Sequence, residues 1–456
     1  MRKLLLSFTG VMLVALTITI AAGPAPVVSR QSSPPVPTFA RDVAPIFYSK
    51  CVTCHRAGEI GPMSLITYEE VRPWARAIER RVGDGTMPPW HAEAADGTFA
   101  NERKLTAEEK DVIARWIAGG APAGDRSDLP APPSFVEGWT IGKPDVVFEM
   151  AEEYEVPARG AVAYEYFYIP TNLTEAKWVE AIEIRPGNRA VVHHVLAFYQ
   201  APPDTPAARP ALKLPAHMKL PARITGDRPP QESKVPSRLI ATYTPGSGPM
   251  MLKPGAAMRL APGGVIELQM HYTTNGTAAT DRTKVGLIFA KQPPSQEVRA
   301  SHFFNAQFTI PAGDADYRVD SEVGFAEDVT LWGVFPHTHL RGKRWEYKLE
   351  LPDGTVKPLL SVPRYDFNWQ TYYVFKEPLV VPRGSRILSA AWYDNSPGNR
   401  ANPDPKTAVT WGDQTWEEMQ YTGLLYSVAP SAPAATSGAP NARLPRAGVE
   451  ASAAQP

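Results

Sequence analysis

The chain has 456 residues, enough for about three domains, and its 47 Lys and Arg residues balance its 47 Asp and Glu residues. Because no basic excess is available to bind a phosphate backbone, this composition argues against a nucleic-acid-binding protein. Proline, at 48 residues, is about twice as frequent as in an average protein, which disfavours long helices and suits short strands. Cys51 and Cys54 are the two cysteines of the chain, so no other pair is left for a disulfide framework.

The N-terminus has the pattern of a secretory signal peptide. Residues 1–3 are positively charged at two positions, residues 4–22 are mostly apolar, and residues 21–23 are the small residues that a signal peptidase requires. The alternative is an uncleaved anchor, because the stretch approaches the ~20 residues that span a bilayer. We expect a periplasmic or secreted protein that meets a membrane only if this segment stays uncleaved.

Changes in composition divide the chain into seven segments. We predict a signal peptide (1–22), a Pro/Ser-rich tether (23–37), a helical domain (38–126), a proline-rich linker (127–137), two β-sandwiches (138–292 and 293–428) and a disordered tail (429–456).

The predicted helices lie within residues 38–126. A capping box from Thr106 to Glu109 opens a helix over residues 107–118, which Gly119-Gly120 ends. A similar motif starting at Thr67 predicts another helix, which Pro73 should kink or delay.

The region from 138 to 428 alternates short apolar runs with Gly, Pro, Asn and Asp, as all-β proteins do. We predict strands at 163–169, 191–199, 265–272, 329–335, 345–351 and 387–392. A region of this length filled with short strands favours two sandwiches over one.

The strongest local motif is Cys51-Val-Thr-Cys54-His55. Two thiols at this spacing can bond to the vinyl groups of a haem, and the adjacent imidazole can bind its iron. The alternatives are a redox pair and half of a zinc site, but a zinc site would need two more ligands at a matching spacing and no other cysteine exists. We therefore expect one covalently bound haem c.

A sixth haem ligand is expected later in the same domain. Met87 is our prediction, because its thioether is held by the prolines that follow it, with Met63 and His91 as rivals. Through these two motifs, the segment resembles a small cytochrome c domain over about 90 residues.

Five histidines of the β region lie near other possible metal ligands. His337 and His339 are two residues apart, so on a strand they face the same side. His193 and His194 are adjacent and could share a metal only at a bulge or a strand end, and His271 lies in another apolar run. Neutral imidazoles without carboxylate or thiolate partners suit copper or zinc.

A single histidine in a strand is usually structural, and we interpret His217 and His302 in that way.

Four motifs of the β region occur in one order: His193-His194, Leu-Gln-Met-His271-Tyr, His337-Thr-His339-Leu-Arg-Gly-Lys343 and Trp416-Glu-Glu-Met419. This arrangement, over residues 138–428, resembles the copper type II, ascorbate-dependent monooxygenases, which include peptidylglycine α-hydroxylating monooxygenase and dopamine β-monooxygenase. The resemblance implies two tandem jelly-roll-like sandwiches after the small all-α cytochrome c-like domain.

It also implies two coppers. The electron-transfer copper would be bound by His193, His194 and His271. The oxygen-activating copper would be bound by His337, His339 and Met419, whose thioether suits Cu(I).

The chain departs from that family in three ways. It has no cysteines for the family's disulfides, it carries a cytochrome-like domain, and it has Phe335 where the peptide-processing members place an arginine, so peptide amidation is not expected.

We expect an enzyme that hydroxylates a C–H bond of a small organic substrate with O2. Its haem would pass electrons to the three-histidine copper, supplied by an ascorbate-like reductant or a periplasmic cytochrome. The alternatives are a non-catalytic electron-transfer or copper-binding protein, and an enzyme whose haem receives electrons from the substrate.

Overall fold

The computed structural model describes residues 35–136, 138–203, 205, 212–213 and 237–428. The predicted signal peptide, nearly all of the tether, the C-terminal tail and His217 lie outside these ranges. All elements given below belong to the unit Pro37–Pro456. None of the helices in the described ranges has the length and apolar character needed to cross a membrane.

The α-helices of the described residues precede residue 120. They are α1 (Ala44–Lys50), α2 (Tyr68–Val71), α3 (Ala75–Gly83) and α4 (Ala107–Ala118). Capping boxes begin both α2 and α4, as predicted. Pro73 has the expected effect, because α2 stops before it and a 3-10 turn at Arg72–Trp74 leads into α3. These helices share a hydrophobic core in which Trp116 is fully buried.

Short strands make up most of the remaining described chain. The strands are β1 (Val146–Glu149), β2 (Tyr154–Val156), β3 (Glu165–Pro170), β4 (Lys177–Arg185), β5 (Val192–Gln200), β6 (Leu212–Lys213), β7 (Ser237–Tyr243), β8 (Met250–Met251), β9 (Ala256–Leu260), β10 (Val265–Tyr272), β11 (Ala279–Asp281), β12 (Lys284–Phe289), β13 (Gln296–Phe304), β14 (Thr309–Ile310), β15 (Tyr317–Phe325), β16 (Val329–His337), β17 (Gly342–Glu350), β18 (Val356–Val362), β19 (Tyr373–Val381), β20 (Arg386–Tyr393), β21 (Val409–Thr410) and β22 (Tyr421–Val428). The chain is thus mainly β, with few helices, as the sequence predicts.

One nine-stranded sheet runs through both predicted β-domains. Its order is β1-β12-β4-β9-β13-β22-β16-β19, with β8 added beside β4. Strands β9 and β13 pair in parallel, whereas the other pairs of named strands in the described chain are antiparallel. The parallel pair therefore joins a strand of residues 138–292 to a strand of residues 293–428.

Two further sheets cover this long sheet. The four-stranded sheet β3-β10-β5-β7 shares a hydrophobic core with it, and the five-stranded sheet β18-β17-β20-β15-β6 shares another. Alternating burial along β10 and β15 shows which face of each strand is directed toward a core. The histidines of β5 and β10 and the histidine that ends β16 consequently belong to sheets on either side of the first core.

The chain between α3 and α4 packs on the β region. Trp90, Ala92 and Phe99 belong to the second β core, where Trp90 lies 5.2 Å from Tyr373 between ring centroids. An isolated bridge joins Phe99 to Phe375. The core of the helices therefore does not include this part of the predicted domain 38–126, because its large apolar side chains bury their surface against β19 instead.

The position of Trp90 gives a test of this packing. Trp90→Ala should lower the free energy of unfolding by about 3–5 kcal/mol, because it opens a cavity in a core formed mostly by strands. Urea unfolding followed by circular dichroism of the β region measures the effect. Trp74→Ala, at a side chain that is 42% exposed, is the control and should cost about 1 kcal/mol or less. Equal effects of the two substitutions would contradict the packing.

Candidate metal centre

A bulge at the start of β5 brings three histidines together. His271 on β10 pairs with His194, but the next residue, Tyr272, pairs with Val192, so the register skips His193. The extra residue lets two adjacent side chains turn toward the same neighbour, which a regular strand would prevent. Nitrogen atoms of the three imidazoles all lie within 4.8 Å of one another. The structure thus has the bulge that a shared metal would require.

His337 and His339 form a second group. His337 is the last residue of β16, and His339 follows the strand instead of lying on it, which differs from the predicted strand geometry. Their ring centroids are nevertheless only 5.1 Å apart, and both side chains are buried. The turn after β16 therefore brings the side chains of His337 and His339 together, as a regular strand would do for residues i and i+2.

The carboxylate of Glu418 holds the second group in place. It accepts hydrogen bonds from the backbone N–H of His339 at 2.8 Å, of Arg341 at 2.6 Å and of Met419 at 3.3 Å. Burial raises the pKa of Glu418 to about 8, although these three donors and the charge of Arg341 favour its ionised form. The side chain of Glu418 therefore fixes the backbone of Met419 beside that of His339.

Hydrogen bonds select which nitrogens are free to bind a metal. His339 Nδ1 lies 3.2 Å from the carbonyl oxygen of Glu417, so it carries the proton and Nε2 keeps its lone pair. That Nε2 and His271 Nδ1 are buried and have no hydrogen-bond partner among the described residues. Since an unpartnered buried polar atom costs about 1–3 kcal/mol, both nitrogens fit the role of metal ligands.

Burial favours the neutral form of all five histidines. Burial lowers the pKa of His271 to about 3 and that of His337 to about 4, and it also lowers the pKa values of His193, His194 and His339. Neutral imidazoles are the form that binds a metal ion. A buried all-histidine set of this kind suits copper or zinc.

Gln370 connects the two histidine groups. Its Oε1 lies 2.8 Å from His337 Nδ1, and its Nε2 lies 3.4 Å from His194 Nδ1. The first contact is a hydrogen bond that His337 donates, so the lone pair of this imidazole is on Nε2. Gln370 follows the 3-10 turn Phe367–Trp369 and is buried. The two groups thus lie on opposite sides of one side-chain amide.

Two aromatic residues lie beside both histidine groups. Phe367 lies 5.9 Å from both His271 and His339 between ring centroids. Tyr164 lies 5.1 Å from His271 and 6.4 Å from His339, and its hydroxyl is buried without a partner among the described residues. Both rings therefore contact both groups.

The Cys51-Val-Thr-Cys54-His55 motif follows α1. His55 Nδ1 lies 3.3 Å from the carbonyl oxygen of Met63, which leaves Nε2 on the other side of the ring for an iron. Met63 is therefore on the side of His55 that faces away from such an iron, which disfavours it as the sixth ligand. Met87 is half-buried on the loop after α3.

Burial disfavours the thiolate form of both cysteines. Burial raises the pKa of Cys51 to about 12 and also raises that of Cys54, whereas a reactive thiol needs a lowered pKa.

Ion pairs link the motif of residues 51–55 to the β region. Glu59, four residues after His55, pairs with Arg56 at 2.8 Å and also contacts Arg189, which lies just before β5. The motif thus lies close to the strand that carries His193.

Sequence reasoning identified the five histidines but not the residues around them. Glu418 belongs to the motif Trp416-Glu-Glu-Met419, in which only Met419 was predicted to bind a metal. An acidic residue directly before a predicted ligand was the signal that could have identified it. Gln370, Phe367 and Tyr164 have no distinguishing pattern in the sequence, because only the packing of distant segments brings them to the site. His302, interpreted as structural, stacks on Phe304 and Tyr421.

Comparisons with known proteins yield no family. No family model matches the chain, and no curated protein matches it. Among solved structures, the chain is similar to the major capsid protein P2 of bacteriophage PM2, with 10% identity over 63% of this chain and 98% of that chain and a TM-score of 0.26. It is also similar to a structure of infectious bursal disease virus, with 11% identity over 63% and 73% and a TM-score of 0.18. An allantoicase matches with 8% identity over 53% and 81% and a TM-score of 0.15. Scores this low bear on neither fold nor function.

The contact between Gln370 and His337 predicts a role in metal binding. Gln370→Ala should weaken copper binding by the His337 group about 10–100-fold, because the imidazole loses the acceptor that fixes its orientation. Titration with copper against a competing chelator, in a His271→Ala background, measures this group separately. Gln307→Ala, at an exposed position, is the control and should leave the affinity unchanged. Unchanged affinity in Gln370→Ala would show that the amide does not orient His337.

Proposed function

We propose that the protein is an exported haem- and copper-containing monooxygenase that hydroxylates a C–H bond of a small organic substrate with O2. The observation that carries this proposal is the pair of buried histidine groups on either side of Gln370, one of them next to the backbone of Met419. The resemblance of the four motifs to the copper type II monooxygenases supports the same conclusion.

In this proposal each histidine group holds one copper. His193, His194 and His271 would bind the first, and His337, His339 and Met419 would bind the second. When bound, copper supplies one-electron redox chemistry and the activation of O2. The overall reaction inserts one oxygen atom into the substrate and reduces the other to water, so two electrons and two protons must enter from outside.

The chain would orient the imidazoles that bind copper and keep water away from them. Gln370 and the carbonyl oxygen of Glu417 fix the tautomers of His337 and His339, so that their Nε2 atoms can bind a metal without rearrangement. Phe367 and Tyr164 would exclude water from the space between the groups. His193 and His271 are half-buried, whereas His339 is entirely buried, so we expect the substrate to approach from the side of the three-histidine group.

The helical part would carry a covalent haem c. Cys51 and Cys54 would bond to its vinyl groups, His55 would bind the iron through Nε2, and Met87 would be the sixth ligand. Its electrons would come from an ascorbate-like reductant or a periplasmic cytochrome. A haem held within the same chain stays at high effective concentration near the copper groups.

A second candidate is a non-catalytic electron-transfer protein on the same scaffold. The burial of His337 and His339 favours it, because a carrier needs no space for a substrate beside its metal. Both candidates bind haem and copper, so the discriminating measurement is the stoichiometric formation of a hydroxylated product with consumption of O2.

The two copper groups should respond differently to substitution. His337→Ala or Met419→Ala should abolish hydroxylation while the first copper remains reducible, because the second group is the one proposed to meet O2. His193→Ala should leave O2 binding at the second group but deprive that group of its second electron, which the first copper would store. Copper content, electron paramagnetic resonance of Cu(II) and product formation measure these effects. Full copper content and O2 consumption in Met419→Ala would remove Met419 from the ligand set.

The haem assignment has its own test. The double substitution Cys51→Ala with Cys54→Ala should abolish covalent haem, while the β region still folds because it contains no cysteine. Met87→Ala should keep the haem but lose the near-infrared band of a thioether bound to ferric iron. The control is Met251→Ala, at a side chain that is 64% exposed, which should retain the band. Persistence of the band in Met87→Ala would assign the ligand elsewhere.

A further inference from the structure

A cavity separates the haem motif from the β region. Its volume is about 360 Å³, and Thr53, Gly246 and Tyr372 are among the residues that line it. Cys54 Sγ lies directly against Gly246, where a Cβ atom would overlap the sulfur. Gly246 also has a φ of +74°, so two constraints favour glycine there. The sulfur through which a haem would be attached thus lies beside Gly246, and both Gly246 and Tyr372 line the cavity.

A stack of three rings leads from this cavity to the second histidine group. Tyr372 and Phe335 are 5.6 Å apart with planes inclined by 16°, and Phe335 and His337 are 6.0 Å apart with planes inclined by 17°. Phe335 is only 1% exposed, so the stack is shielded from water. The three rings are therefore nearly parallel and continuous from the cavity wall to a proposed metal ligand.

We propose that the stack of Tyr372, Phe335 and His337 is the path by which the haem reduces copper, and that the copper of the His337 group is reduced first. This inference rests on the proposed function and changes the order of electron flow expected from the sequence, in which the three-histidine copper received the electron. The stack would carry one electron from a haem bound at Cys51, Cys54 and His55 to a copper bound by His337 and His339, so that the iron would be oxidised from ferrous to ferric and the copper reduced from Cu(II) to Cu(I). No atom or proton is transferred.

Two observations support this order. Electron transfer slows steeply as the gap between donor and acceptor widens, and the rings place polarisable groups between the cavity and His337. An ion pair between Glu59 and Arg189 links the haem motif to the segment before the strand of His193, and no stack of rings joins that motif to His193 among the described residues. From His337, Gln370 provides the next contact, to His194.

The experiment uses the full chain with haem reduced, copper oxidised and oxygen absent. Rapid mixing followed by absorbance measures haem oxidation, and freeze-quenched electron paramagnetic resonance identifies which Cu(II) signal disappears first. Tyr372→Leu should slow the first phase severalfold. Tyr372→Phe is the matched control and should keep the rate, because it retains the ring and removes a hydroxyl that has no partner among the described residues. Phe335→Leu should give the same slowing if Tyr372→Leu does not fold.

The outcomes separate this inference from the proposed function. The rapid phase should persist in His271→Ala and vanish in His339→Ala. Equal rates in Tyr372→Leu and Tyr372→Phe, or a rapid phase that survives only in His339→Ala, would overturn the path while leaving a haem–copper protein. If the unaltered protein bound neither covalent haem nor copper, both the path and the proposed function would be wrong.

Discussion

The amide of Gln370 is the contact on which the site depends, because it is the one side chain of the described residues that hydrogen-bonds to both histidine groups. The groups lie on different sheets, and a short 3-10 turn places the amide between them. An amide suits this position since it offers an acceptor to His337 and a donor to His194 without introducing a charge. A carboxylate there would attract protons to imidazoles that must stay neutral.

Without a bound ligand, the buried polar atoms of the site lower the stability of the folded protein. Five neutral imidazoles and two aromatic rings share a region from which water is largely excluded, and two of the imidazole nitrogens have no partner among the described residues. Glu418 offsets part of this cost by satisfying three backbone donors at the turn after β16. The remaining deficit is what a bound metal ion would remove.

The sequence predicted the parts of the structure that depend on local patterns. Alternating apolar residues located β10 correctly over residues 265–272, and the capping box located the start of α4. The need for a bulge at His193 followed from the two-residue period of a strand. The continuous sheet, the docking of Trp90 on β19 and the position of Gln370 could not be predicted, because each depends on segments that are far apart in the chain.

The parallel pairing of β9 with β13 has a consequence for how the two β halves can move. Hinged domains change the distance between their sites by rotating about a flexible linker. In this protein, backbone hydrogen bonds between β9 and β13 make one continuous sheet of the two β halves. Separating the halves would expose two unpaired strand edges, which favour aggregation. Opening and closing of a cleft between the histidine groups is therefore restricted to side chains and loops, and the spacing between the groups is built into the backbone.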